Sequence, residues 1–117
     1  MGARLARVNE QVKEVVGELL GELKDPRIGF VTVTGVDTSP DLSSADVWFT
    51  VLDDDPDALA STKEGLASAA PMLRRELGAR VRMRRVPMLR FRYDPAPAQG
   101  RHIERLLSEA AEQQDDR

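Results

Sequence analysis

Arg74, Arg75, Arg80, Arg82, Arg84, Arg85, Arg90 and Arg92 put eight like charges within 19 residues. A guanidinium fork suits bidentate contact with phosphate or carboxylate. Charges of one sign crowded this closely repel, and an anionic partner relieves that cost to the fold. The chain has 14 arginines and 3 lysines throughout, so the choice of arginine says little. The crowding is the signal. Arg4 and Arg7 stand near the N-terminus and could extend a basic surface.

Other chemistries find less support. Cysteine is absent, which excludes disulfides, thiolate nucleophiles and cysteine metal sites. A single histidine, His102, makes a histidine metal site or a catalytic triad hard to build from one chain. Asp53, Asp54, Asp55 and Asp57 resemble a loop for a hard divalent cation. The Asp55-Pro56 pair fits better as the N-cap and first position of a helix, where negative charge also complements the helix dipole. No histidine or second carboxylate cluster backs a metal-dependent hydrolase. No catalytic residue, metal or cofactor is expected. Trp48 and Phe49 could offer a stacking platform for an unpaired base, but one of two adjacent strand residues must face the core, and core packing is the expected role for each.

At 117 residues, with 41% hydrophobic and 32% charged residues, the chain has the size and composition of one soluble globular domain. No apolar run approaches the roughly 18 residues of a membrane span, and no secretory signal opens the chain, so the cytoplasm is the expected compartment. Its net charge of −3 hides a segregation: residues 1–27 carry 0, residues 28–71 carry −7, residues 72–105 carry +7 and the remainder −3. One surface should be basic and another acidic. Asp37, Asp41, Asp46, Asp53, Asp54, Asp55 and Asp57 form the acidic side, which could dock a basic protein.

The elements that must position these charges follow from periodicity. Leu5, Val8, Val12, Val15, Val16, Leu19, Leu20 and Leu23 recur at spacings of one helical turn, predicting an amphipathic helix that stops near Lys24, before Asp25-Pro26. Phe30 to Thr34 reads as a strand, Thr38 to Asp41 as a turn, and Ala45 to Leu52 as a second, antiparallel strand. Leu59, Leu66, Ala69 and Ala70 mark a second helix that meets Pro71 in full stride. A kink at Ala69-Ala70-Pro71, a short second half and a C-cap at Gly78 are expected. Val81 to Tyr93 alternates apolar and arginine positions as a long third strand, with a bulge or break at Pro87. Ile103, Leu106, Leu107 and Ala110 outline a last helix before a polar tail that should fray. Helix, strand, strand, helix, strand makes an α+β domain: a three-stranded sheet with helices on one face and the arginines on the open face or at its edge.

Lys24-Asp25-Pro26-Arg27-Ile28, Val31-Thr32-Val33-Thr34-Gly35-Val36, Ser39-Pro40-Asp41-Leu42 and Leu89-Arg90-Phe91 after Val86-Pro87, in that order, resemble the ribosome-binding factor A family. The likeness runs from about Leu5 to Leu107. It implies a single KH-like domain of type II, αββαβ, over residues 1–108, with residues 109–117 as tail. It further implies a monomer that binds the small (30S) ribosomal subunit and its 16S rRNA during late maturation and rRNA processing. The alternative is a protein-interaction module that docks a basic ribosomal protein or a ribosome-assembly GTPase through the acidic side, and no membrane is expected as a partner. Family members lack the Gly-x-x-Gly clamp of other KH domains and kink their helix at Ala-x-Gly. Here Ala69-Ala70-Pro71 stands in that place, and proline bars the close approach of a phosphate backbone that glycine permits. RNA contact is therefore expected from Arg74 and Arg75 just beyond it, with Arg80, Arg82, Arg84, Arg85, Arg90 and Arg92 as further phosphate ligands and Arg4 and Arg7 extending the surface.

Overall fold

The computed structural model describes residues 2–95. Helix α1 spans Gly2–Glu22, strand β1 Val31–Thr38, strand β2 Ser44–Val51, helix α2 Pro56–Arg80 and strand β3 Met88–Tyr93. The sheet has the order β1-β2-β3. β1 and β2 are antiparallel and joined by a tight hairpin, whereas β3 returns over α2 to pair parallel with β2. A parallel neighbour needs such a crossover, and α2 supplies it. The α+β architecture agrees with the expectation. The last helix expected over Ile103 to Ala110, His102 and the polar tail lie outside the described residues.

Both helices lie on one face of the sheet, and their stripes meet the inward alternation of the strands. Val12, Val16, Leu19 and Leu20 from α1 join Leu66, Leu73 and Leu77 from α2, all buried. From the sheet come Val36, Ala45, Val47, Phe49 and Leu89. The Phe49 ring lies 6.5 Å from that of Phe91 and 5.9 Å from that of Tyr93. Among the described residues no helix is long and apolar enough to cross a membrane.

Several boundaries differ from expectation. α1 starts at Gly2 and ends at Glu22, two residues before Lys24. β1 continues past Thr34 to Thr38, because a bulge between Val33 and Gly35 resets the alternation so that Val36 and Thr38 both point inward. Helix α2 is one element from Pro56 to Arg80 with Pro71 inside it, where two half-helices were expected; Pro71 has no amide to bond to the Ala67 carbonyl, and its ring crowds that carbonyl. Gly78 is not its cap. The helix runs on to Arg80, and the Val81 amide donates to Leu77 O at 2.9 Å.

The third strand is shorter than expected. Only Met88–Tyr93 joins the ladder, and residues 81–87 form an irregular connection. Pro87 is fully buried and has no amide to offer a ladder. Alternation across Val81 to Val86 therefore reflects a loop pinned to α2, with Val81 and Met83 half-buried and Arg82, Arg84 and Arg85 exposed.

Candidate functional site

The 81–87 connection is held at its far end, where it meets β3. Arg74 donates from Nε and Nη2 to the Val86 carbonyl, at 3.1 and 2.9 Å. Val86 packs onto Gly78, where a Cβ would stand 2.9 Å from Val86 Cγ2, so glycine there makes room for the loop. The Met88 amide then donates to Ser43 O at 3.0 Å, anchoring the loop's exit to the β1–β2 hairpin. Between α2 and this stretch runs a groove of about 710 Å³, lined by Ala70, Pro71, Val86 and Met88 together with Arg74 and Arg75. Of the expected kink residues, Ala70 and Pro71 line the groove, with Pro71 exposed in it, while Ala69 packs against the core.

The ten candidate arginines separate into groups with different surroundings. Arg74 is committed to Val86. Arg80 reaches back to α1, 3.2 Å from Glu22 Oε2 and 3.9 Å from Glu18 Oε2, and so ties the two helices together. Arg90 and Arg92 project from the open face of β3 and both approach Asp46 Oδ1, at 3.1 and 3.0 Å. Arg75, Arg82, Arg84 and Arg85 are exposed and make no ion pair among the described residues. Arg4 and Arg7 are exposed in the first turns of α1. At 1.5 Å per residue the nearer of them, Arg7, is about 16 Å along the axis from Glu18, so they do not continue the Arg80 cluster.

The acidic residues also acquire definite roles. Asp55 caps α2, accepting from the Asp57 and Ala58 amides, with Pro56 at the first helical position, as expected. Asp53 Oδ1 accepts in turn from the Asp55 amide at 3.1 Å. At the hairpin, Asp41 Oδ1 accepts from the Ser39 hydroxyl at 2.7 Å, the Ser43 hydroxyl at 2.8 Å and the Ser43 amide at 3.1 Å. These bonds, that from Ser39 foremost, lower its pKa to about 2, with Arg85 contributing from a distance. The adjacent Leu42 takes a φ of 61°, a left-handed conformation that the surrounding bonds hold. At Asp25 the side chain of Arg27 is the main cause holding the carboxyl below its usual range.

Phe49 is fully buried, as expected, but its neighbour Trp48 lies on the other face, half-buried, and its indole donates to Asp37 Oδ2 at 3.2 Å. Asp46 is the residue that sequence reasoning placed only on a generic acidic side. Its partnership with Arg90 and Arg92 depends on the parallel register, which sets Asp46 opposite Arg90 and Trp48 opposite Arg92. The even positions of β2 and β3 do carry a signal, since the alternation puts all of them on the open face.

Residues 4–107 match the model of the Ribosome-binding factor A family. The chain is 48% identical over 109 residues to the ribosome-binding factor A of Thioalkalivibrio sulfidiphilus, covering 92% of this chain and 84% of that one. The crystal structure of the Thermus thermophilus protein of that name superposes with a TM-score of 0.70 at 31% identity, over 80% of this chain and 99% of that one. A homology model of the Thermus thermophilus protein, fitted into a cryo-electron-microscopy map of its 30S complex, gives a TM-score of 0.61 at 33% identity over 74% and 94% of the two chains.

Proposed function

The chain belongs to the ribosome-binding factor A family, and on that premise we propose that it is a non-catalytic factor that binds the small ribosomal subunit through 16S rRNA during late maturation, in the cytoplasm. Arg75, Arg82, Arg84 and Arg85 are the principal phosphate ligands. The carrying observation is that these four guanidinium groups, on the end of α2 and the loop pinned beside it, have no ion-pair partner among the described residues. Charge left without an ion-pair partner is what a phosphate backbone meets at least cost. Arg74 and Arg80 serve first as positioning residues, because each holds a neighbouring element.

Affinity should be largely electrostatic. Four phosphate contacts give a slope of about −2.8 to −3.6 in log affinity against log salt. The test is sedimentation of the tagged chain with free small subunits and with mature ribosomes across a salt series, beside a variant carrying Arg82→Glu and Arg84→Glu. Both substituted residues are exposed and bond to nothing among the described residues, so the variant should fold and lose most of its binding. A salt-independent association, or a charge-reversed variant that binds as tightly as the parent, refutes the reading.

A further inference from the structure

Arg90 and Arg92 stand on one face of β3, and their Nε atoms come within 3.1 and 3.0 Å of a single oxygen, Asp46 Oδ1. Two guanidinium groups converging on one anionic oxygen is also the arrangement in which arginines clamp a phosphate. The three side chains open to solvent: Asp46 is 24% exposed, Arg90 52% and Arg92 46%. Ion pairs this exposed contribute little and exchange readily. On the same face Asp37, opposite Asp46 across the β1–β2 ladder, accepts from the Trp48 indole. The two carboxylates leave this face nearly neutral although it carries two arginines.

We propose that Arg90 and Arg92 form a phosphodiester site on the open sheet face that Asp46 fills in the free protein, so that an RNA phosphate engages them only by displacing this carboxylate. The proposal rests on the RNA-binding reading above and names a second contact region for it. Asp46 holds together two cations that would otherwise repel and spread, which keeps the site shaped for one anion. It also sets a threshold. A free monoanion must compete with a carboxylate already tethered at the site, whereas an RNA held by Arg75, Arg82, Arg84 and Arg85 presents its next phosphates at high effective concentration.

Asp46→Asn keeps the side-chain shape and removes the charge. With the full chain and a naked 16S rRNA transcript in 0.1 M monovalent salt, one further neutralised phosphate is worth about fivefold to eightfold in affinity, and steepens the salt slope by about 0.7 to 0.9. The variant should show both changes, and adding Arg90→Gln and Arg92→Gln should remove them. Unchanged or weaker binding by a folded Asp46→Asn chain overturns the proposal. The Arg82→Glu, Arg84→Glu chain, measured alongside, then tells whether RNA binding through the loop survives on its own or falls as well. If Asp46→Asn does not fold, the Nε–H resonances of Arg90 and Arg92 in the unaltered chain carry the test: both should shift on adding the transcript, and resonances that stay fixed at saturation overturn the proposal.

Discussion

The Arg74 guanidinium and the Val86 carbonyl form a two-bond clamp, 2.9 and 3.1 Å long, across twelve residues of chain. It joins the last turns of α2 to the residue before the buried Pro87, and so fixes where the loop carrying Arg82, Arg84 and Arg85 closes back onto the helix before entering β3.

Arg74→Ala and Arg75→Ala should therefore behave differently although they alter neighbouring arginines. Loss of Arg74 leaves the Val86 carbonyl without its donors and should lower stability by about 1 kcal/mol, because the bonds are charge-assisted but solvent-accessible. Loss of Arg75 should leave the melting temperature unchanged and weaken RNA binding. Thermal denaturation paired with RNA titration separates them, and equal melting temperatures would show that the clamp is dispensable.

Gly65 is buried on α2, where an added Cβ would lie 2.6 Å from Ile28 Cγ1 and 3.2 Å from Arg27 Cβ. Gly65→Ala should push out the Arg27-Ile28 segment and cost about 1 to 3 kcal/mol despite the better helix propensity of alanine. The control is Gly17→Ala on α1, where a Cβ meets nothing within 4 Å and the melting temperature should rise.

Pro71→Ala restores an amide within a continuous helix and should give the Ala67 carbonyl its missing bond. Stability should rise by about 1 to 3 kcal/mol. Because Pro71 lines the groove beside Arg74 and Arg75, the same change should weaken RNA binding if proline sets the direction of the helix end. Greater stability with unaltered RNA affinity would make Pro71 a packing feature only.

Asp41 links the hairpin to pH. Its carboxyl is held at about 2 in the folded chain, against 3.8 ordinarily, by bonds to its charged form. The stabilisation it brings is fully present above the ordinary value and is lost as pH falls from about 4 toward 2. Asp41→Ala should melt below the parent at pH 6, with the difference shrinking toward pH 2. A difference that does not change with pH would mean that the Ser39 and Ser43 bonds do not distinguish the two protonation states.

Both helices, the hairpin and the cap at Asp55 were legible because each is encoded within a few turns or residues: a stripe at helical spacing, alternation in β2, an Asp-Pro pair. The open-face parity of Asp46, Arg90 and Arg92 was legible for the same reason. Their meeting was not, since it depends on a parallel register between residues 44 apart. The 81–87 loop misled because Arg80, Arg82 and Arg84 alternating with Val81 and Met83 have the pattern of a strand. What breaks it is tertiary: the Arg74 clamp, the hollow at Gly78 and the burial of Pro87.

The crossover through α2 also sets an order of events while the chain is being made. β2 is complete at Val51, and the strand that covers its second edge ends 42 residues later, at Tyr93. At synthesis rates of roughly 5 to 20 residues per second that edge stays bare for about 2 to 8 s, a row of unsatisfied amides and carbonyls open to pairing with a neighbouring nascent chain. The interval is fixed by the length of the crossover, so changes that delay the docking of β3, such as loss of the clamp at Val86, should show first as reduced yield of the newly made protein and only afterwards as weaker binding by the folded one.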